Sequence, residues 1–221
     1  MSEVIITVRG ENESRVAPER AVAHVSVAAD GPHRGAVVER ISAVATPVRD
    51  DLARRKDAGS VADWSSQRVS VWSDRPWNSD GKQLDLVHHA SLEITATFTD
   101  FTVLSDWLND VAARDGLQVG AVEWLLSPET RARVERDVAT AAVSVAVERA
   151  GAYAAALGLR TVAPLEIADL GLLTGAAESA PTPRMYAKAA MAMDAAGAPA
   201  VDFQPDDIVV SAAVEARFRA S

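Results

Sequence analysis

Alternating apolar and polar side chains mark the strands of this chain, and the clearest alternation runs from Asp85 to Thr99. Successive side chains of a strand point to opposite faces, so this segment has one apolar and one polar face. The apolar set is His88, Ala90, Leu92, Ile94, Ala96 and Phe98. We expect that face to meet a core and the polar face to meet water or a partner chain. Apolar patterning also predicts strands at Val4–Arg9, Arg20–Ala29, Arg68–Trp72, Gln118–Leu126, Thr161–Leu170 and Ile208–Phe218.

Helical spacing of apolar residues predicts one long helix, from Ser127 to Leu159, and two shorter helices. Ser127 is a favourable N-cap, and Gly158 is typical of the position just after a helix. The predicted apolar stripe of the long helix is Val134, Val138, Ala141, Val145, Ala152 and Ala156. Because so many of these residues are alanine, a sheet or another helix can approach the helix backbone closely.

The shorter helices are predicted over Arg34–Ala58 and from the cap residue Asp100 to about Arg114. Pro47 lies inside the first of them, so we expect a kink or two separate helices there. A charged turn is predicted from Glu11 to Pro18. Strands joined by hairpins and interspersed with helices indicate an α+β fold. The prediction is a mostly antiparallel sheet packed against one long and two shorter helices.

The predicted domain organisation is one domain over residues 1–221, with two subdomains at about 1–99 and 100–221 as an alternative. Residues 171–205 differ in composition, since they are rich in Ala, Gly, Pro, Ser and Met and have little hydrophobic periodicity. Such a composition predicts a long, mobile loop or arm.

Composition and charge exclude several classes of function. The 221 residues carry a net charge of −9 with scattered Lys and Arg, which argues against nucleic-acid binding, and they contain no cysteine for disulfides, thiolate catalysis or thiolate metal sites. No apolar run is long enough for a transmembrane helix. Met1–Glu11 lacks the features of a secretion signal, so we expect a cytoplasmic location. A chain whose leader had been removed would look the same, which leaves a periplasmic or secreted location open.

The residues that could carry chemistry form no recognisable catalytic pattern. The histidines lack the spacing of metal ligands, and neighbouring histidines in a strand point to opposite faces. They are His24, His33, His88 and His89. The paired acids Asp50-Asp51 and Asp206-Asp207 lie at element boundaries, where acids commonly cap or face solvent. Neither a G-x-S-x-G motif nor a Gly-rich phosphate loop is present, so we predict a protein that is not an enzyme and has no cofactor.

Two stretches are candidate interaction sites. A turn at Asn78–Gly81 predicts a hairpin, and the stretch around it contains Trp64, Trp72 and Trp77. These rings could form the floor of a ligand groove, pack the hairpin onto its sheet, or lie in a subunit contact. The second stretch lies within residues 171–205 and is either an adaptable contact surface for a protein or membrane, or a disordered arm. Its candidate residues are Met185, Tyr186, Met191 and Met193.

In four stretches the chain resembles the SIMPL domain family, and together these cover nearly its whole length. The first two are ITVRGENESRVAPERAVAHVSV and LEITATFTDFTVLSDWLNDV. The third is ERDVATAAVSVAVERAGAYAAALGL, and the fourth is PTPRMYAKAAMAMDAAGAPAVDFQPDDIVVSAAVEARF. The fourth is the most characteristic, because it combines an Ala-rich arm bearing Pro and Met, a turn with Pro and acidic residues, and an alternating final strand.

The resemblance implies an α+β fold and self-association, since relatives assemble into large homo-oligomers. It supplies no catalytic residues, because the family has no agreed ones. Its bacterial members include periplasmic and outer-membrane proteins, some linked to oxidative-stress defence, and an animal member associates with an interleukin-receptor-linked kinase. This chain departs from the pattern in having no visible export signal and in the aromatic hairpin Trp64–Trp77.

The functional expectation is a self-assembling protein that acts in stress protection or as an interaction scaffold. The features that support assembly are the polar face of Asp85–Thr99, the apolar arm and a surplus of apolar residues. The alternative is a small-ligand-binding or hydrolytic protein that uses the Trp64–Trp77 hairpin.

Overall fold

The computed structural model describes residues 3–173 and 203–221. In chain order the elements are β1 (Val4–Val16), β2 (Arg20–Gly31), α1 (Arg34–Asp57), β3 (Val61–Asp74), β4 (Val87–Phe98), α2 (Phe101–Ala112), β5 (Leu117–Leu125), α3 (Pro128–Ala156), β6 (Val162–Asp169) and β7 (Ile208–Ala220). These strands pair antiparallel in one four-stranded and one three-stranded sheet. The predicted α+β class with mostly antiparallel strands is confirmed.

The four-stranded sheet has the order β3-β4-β2-β5 and belongs to a compact unit that contains residues 18–125. The apolar set predicted for β4 is buried from Ala90 to Phe98, and alternate residues of β2 face the same way. Helices α1 and α2 both pack on this face. The core between them contains large side chains, among which the Phe98 and Trp107 rings lie 5.2 Å apart.

Helix α2 begins where the sequence predicts, because Asp100 caps it. The Asp100 carboxylate accepts hydrogen bonds from the backbone N–H groups of Thr102 and Val103 at 2.9 and 3.1 Å. These are two of the N–H groups that a helix N-terminus otherwise leaves without partners.

The three-stranded sheet has the order β1-β7-β6 and forms a second compact unit with α3. Helix α3 begins at the predicted cap, where the Ser127 hydroxyl accepts from the Thr130 N–H at 3.2 Å. It packs on β1 and β7 at very short range. A Cβ atom on Gly10 of β1 would lie 1.9 Å from the Ala142 carbonyl oxygen and 2.7 Å from the Ala146 nitrogen. Only a glycine therefore fits at this position.

The buried side of α3 differs from the predicted stripe over its second half. The buried residues are Val134, Val138, Ala142, Ala146, Ala150 and Ala154, so Ala141, Val145, Ala152 and Ala156 were wrong. A spacing of four residues advances the buried position by about 40° per step around an α-helix. The buried line therefore winds around α3, as packing on two long, twisted strands requires.

A further expectation was wrong, and another was wrong in one of its two alternatives. Strand β1 continues through Glu11–Glu13, where a turn was predicted, because those residues pair with Ser211–Ala213 of β7. Pro47 does not divide α1 into two helices, so of the two alternatives there the kink stays a prediction. Pro47 and Ala43 are both exposed, so the Ala43 carbonyl that loses its helical partner can face water.

The single domain over 1–221, its alternative subdomains and the mobile arm at 171–205 stay predictions. Most of that arm lies outside the described residues. Among the helices that are described, none is long and apolar enough to cross a membrane.

Candidate functional site

The predicted tryptophan hairpin is formed by β3 and β4, which pair from Val61 opposite Phe98 to Asp74 opposite Val87. Beyond the strands, Trp77 pairs with Gln83. The predicted turn is present, and the Asn78 side-chain oxygen accepts hydrogen bonds from the backbone N–H groups of Asp80 and Lys82 at 3.1 and 2.8 Å. Gly81 has a φ of +72°, which a glycine adopts without strain. The tip is therefore a locally ordered structure.

Trp64 belongs to the core side of the sheet. It lies opposite Ala96, whose side chain is buried, and it packs against the core under α1 and α2. Its indole is thus used for packing, which was one of the alternatives considered for it.

Trp72 lies on the other face of the sheet, opposite His89. The two rings stack with centroids 5.3 Å apart and an interplanar angle of 17°. The His89 Nε2 atom lies 3.1 Å from an Asp74 carboxylate oxygen. Trp72 is still 49% exposed, so part of its indole remains accessible.

Trp77 is the most exposed tryptophan of the hairpin, at 67%. Leu84 and Leu86 on the returning segment are also exposed, and none of these three side chains belongs to a core cluster of the described residues. Trp72, Trp77, Leu84 and Leu86 are large, exposed apolar side chains on the two segments that flank the Asn78–Gly81 turn, and we call them the hairpin tip patch.

The structure therefore brings Trp72 and Trp77 to the same end of the hairpin and separates Trp64 from them. Along β4, the partners of Trp64 and Trp72 are seven residues apart, Ala96 and His89, which corresponds to about 24 Å. The other candidate residues, Met185, Tyr186, Met191 and Met193, lie outside the described residues.

Sequence reasoning missed Leu84 and Leu86 and the stacking of Trp72 on His89. The Asn78–Gly81 turn was the signal that could have found them, because a tight turn places the residues on either side of it next to each other.

At the base of the same hairpin, an ion pair joins α1 to β3. Lys56 Nζ lies 2.7 Å from an Asp63 carboxylate oxygen. Its hydrogen bond lowers the pKa of Asp63 below the ordinary value of 3.8, with a smaller contribution from a hydrogen bond to the Trp64 backbone. The pair is solvent-exposed, so it links α1 to β3 with only a small contribution to stability.

The polar face of the four-stranded sheet brings together side chains from several strands. The Ser65 and Thr95 hydroxyls are hydrogen-bonded at 3.0 Å, and His24 Nε2 lies 3.6 Å from a Glu123 carboxylate oxygen. The His24 Nε2 atom is itself buried and has no hydrogen-bond partner among the described residues. Among all the residues that the structure describes, no group of three or more His, Asp or Glu side chains is arranged to hold a metal ion.

Comparison with known families gives a match over nearly the whole chain. The family model described as "SIMPL: Protein of unknown function (DUF541)" matches residues 6–218. Comparison with curated proteins finds no match.

Proposed function

Because the chain belongs to the SIMPL family, we propose that it is a non-enzymatic protein that assembles with copies of itself and acts in stress protection or as an interaction scaffold. Self-assembly is the part of this proposal that the described surface supports directly. The roles in stress protection or as a scaffold rest on the resemblance alone.

The observation that carries the assembly proposal is the hairpin tip patch. Trp77 and Trp72 are large apolar side chains, and they are 67% and 49% exposed to solvent. Exposed apolar side chains of this size are typical of interaction surfaces. Tryptophan is enriched among the residues that dominate binding energy in protein interfaces. The tip is also held in shape by the Asn78 hydrogen bonds, so little conformational entropy is lost on binding.

Native mass tests this proposal. Light scattering of the whole protein at micromolar concentration is expected to give a mass well above 23.4 kDa. The variant Trp77→Ser is expected to shift the distribution toward smaller species. Ile5→Ser, which removes a similarly exposed side chain from the other sheet, is the matched control and should leave the mass unchanged.

A monomer at micromolar concentration would contradict self-assembly. An assembled Trp77→Ser variant of unchanged mass would show that the hairpin tip patch is not the contact, even though the protein assembles.

Stress protection and a scaffold role can be separated in cells. A strain that lacks the gene is expected to lose viability under peroxide if the protein protects against oxidative stress. Rescue by the unaltered chain but not by an assembly-deficient Trp77→Ser variant would link protection to assembly. Equal survival with and without the gene would contradict stress protection, and the scaffold role would be the remaining proposal.

A second candidate function is small-ligand binding at Trp72. The observation that favours it is the stack of Trp72 on His89, which itself lies 3.1 Å from Asp74, because an accessible ring beside polar groups suits a small polar molecule. Saturable quenching of tryptophan fluorescence by a compound from a metabolite panel, lost in Trp72→Ala and kept in Trp77→Ser, would support it. No saturable response from the whole panel would contradict it.

A further inference from the structure

The three-stranded sheet has a gap beside its middle strand. Strand β6 pairs with β7 only from Ala220 to Val214, where β6 ends at Asp169. Strand β7 begins six residues earlier, at Ile208, and pairs with β1 along its whole length. On the β6 side, residues 208–213 therefore have no strand partner among the described residues. We call this side of β7 the β7 slot.

The backbone of Val209 and Ser211 points into the β7 slot. At the end of the chain, the Ser221 carbonyl accepts hydrogen bonds from the N–H groups of Arg160 and Thr161, and the Ser221 N–H donates to the Thr161 carbonyl. Odd-numbered residues at that end thus point their backbone groups toward the β6 side. The direction alternates along a strand, and the register of β7 with β1 has no shift. Among the described residues, none pairs with the N–H and C=O groups of Val209 and Ser211, so these groups form an open strand edge there.

A cleft of about 720 Å³ lies along this part of the sheet. Its lining comes from β1, from Asp169 and Leu170 at the end of β6, and from Ser211, Ala212 and Ala213 of β7. Because these three residues of β7 are small, they leave space beside the longer side chains of β1. The cleft therefore exists because the residues of β7 next to the β7 slot have small side chains.

Carboxylates predominate among the charged groups of the cleft. Glu11 and Glu13 are 62% and 60% exposed, and among the described residues each has a single distant ion pair, with Arg9 and Arg15 respectively at 3.6 Å. Asp169 is exposed and has no ion pair among the described residues. Such weakly paired surface carboxylates can gain a cation without losing a strong interaction.

We propose that the β7 slot binds an extended segment of a partner protein in which Lys or Arg alternates with small or β-branched residues. Such a segment would add a strand to β7, about 4.8 Å away, through the backbone groups of Val209 and Ser211. On the face that carries Ser211, its cationic side chains would extend over the small residues toward Glu11 and Glu13. The backbone pairing supplies the docking and the carboxylates select the sequence. This site does not depend on the proposed self-assembly.

The test uses the whole protein and follows the fluorescence anisotropy of a peptide labelled at its N-terminus, fluoresceinyl-Val-Lys-Val-Lys-Val-Lys-Gly-amide. We expect the same peptide with N-methyl groups at its central backbone nitrogens to bind at least about tenfold more weakly, although its charge is identical. The peptide with Glu in place of Lys should be weakened by a similar factor. Equal binding of the unmodified and N-methylated peptides would overturn the proposal.

Two variants test the slot itself. Ser211→Pro removes an N–H that points into the slot and leaves the hydrogen bonds between β7 and β1 in place, because those come from the even-numbered residues. It should weaken peptide binding at least about tenfold. The double variant Glu11→Lys with Glu13→Lys, which does not alter the backbone, should do the same and covers the case in which Ser211→Pro fails to fold.

Unchanged peptide binding in both variants would overturn the proposal. A fall in the native mass of the protein alone on Ser211→Pro would also overturn it, because the slot would then be occupied by a second copy of this chain.

Discussion

The four-stranded unit and the three-stranded unit differ in the size of the side chains that lie between helix and sheet. Large side chains fill the core of the four-stranded unit; the bulkiest fully buried ones are Trp107, Phe98, Leu52, Leu92, Ile94 and Leu104. In the three-stranded unit, the buried residues of α3 from Ala142 to Ala154 are all alanines, and the helix backbone lies against Gly10. The first core depends on the volume of its side chains, and the second on the closeness of two backbones.

This difference predicts opposite responses to mutation. A core filled by large residues loses contacts and gains a cavity when a side chain is shortened. A core in which backbones touch has no space for additional atoms, so lengthening a side chain forces the helix away from the sheet.

The largest effect is expected for Trp107→Ala in the four-stranded unit. Trp107 is 2% exposed and packs against Phe98, so its removal should lower the free energy of unfolding by about 3–5 kcal/mol. Urea denaturation measures the loss. Trp72→Ala removes the same side chain from a half-exposed position and should cost clearly less. Similar losses for the two variants would contradict the assignment of the core.

The next effect concerns enlargement in the three-stranded unit. Ala146 is fully buried beside Gly10, so Ala146→Leu should destabilise by about 1–3 kcal/mol through overpacking. The same substitution at the exposed Ala152 of α3 should stay within about 0.5 kcal/mol of the unaltered protein. Equal stability of the two variants in urea would show that α3 does not lie close to the sheet at Ala146.

A smaller effect is expected at the helix caps, one in each unit. Asp100 accepts two backbone hydrogen bonds at the start of α2, and Asp100→Ala should cost about 1 kcal/mol. Ser127 accepts one from Thr130, at 3.2 Å, at the start of α3, and Ser127→Ala should also cost about 1 kcal/mol. Thermal unfolding of both variants measures the losses, and an unchanged stability of either variant would contradict the cap at that helix.

The smallest effect concerns the Lys56–Asp63 ion pair. Because Lys56 holds the pKa of Asp63 below 3.8 in the folded protein, the pair stabilises the fold above that pH. The stabilisation is lost as the pH falls through the lowered pKa. Lys56→Met should return the pKa of Asp63 toward 3.8, as followed by NMR titration of its carboxyl carbon. An unchanged pKa in Lys56→Met would exclude Lys56 as the cause.

Local signals in the sequence were sufficient for most of the elements. The alternation in β4, the caps at Asp100 and Ser127, and the Asn78–Gly81 turn each depend on neighbouring residues only, and the structure contains all four. They are predictable because the hydrogen bonds of a cap or a turn join residues that are only a few positions apart in the sequence.

Features that depend on distant partners were not predictable. Residues Glu11–Glu13 are all polar, and it is their pairing with Ser211–Ala213 that makes them part of a strand. In α3, nearly every position from Ala139 to Ala156 that is not charged is small or apolar, so periodicity cannot fix the buried side there. That side is fixed by Gly10, more than a hundred residues away.

Only part of the candidate site was predicted from the sequence, because the rest of it depends on distant partners. The sequence indicated an aromatic hairpin, but pairing of β3 with β4 decides that Trp64 faces the core and Trp72 the opposite side. The β7 slot depends on where β6 ends relative to β7, which no local pattern records.

The contrast between the two units rests on direct contact between the backbones of α3 and β1, and two glycine substitutions test it most directly. Gly10→Ala should lower the free energy of unfolding by at least about 1–3 kcal/mol, because its Cβ would collide with the Ala142 carbonyl. Gly151→Ala, in α3 with open space around it, should raise that energy by about 0.5–1 kcal/mol. Urea denaturation that gives opposite signs supports the account. A stable Gly10→Ala variant would contradict it.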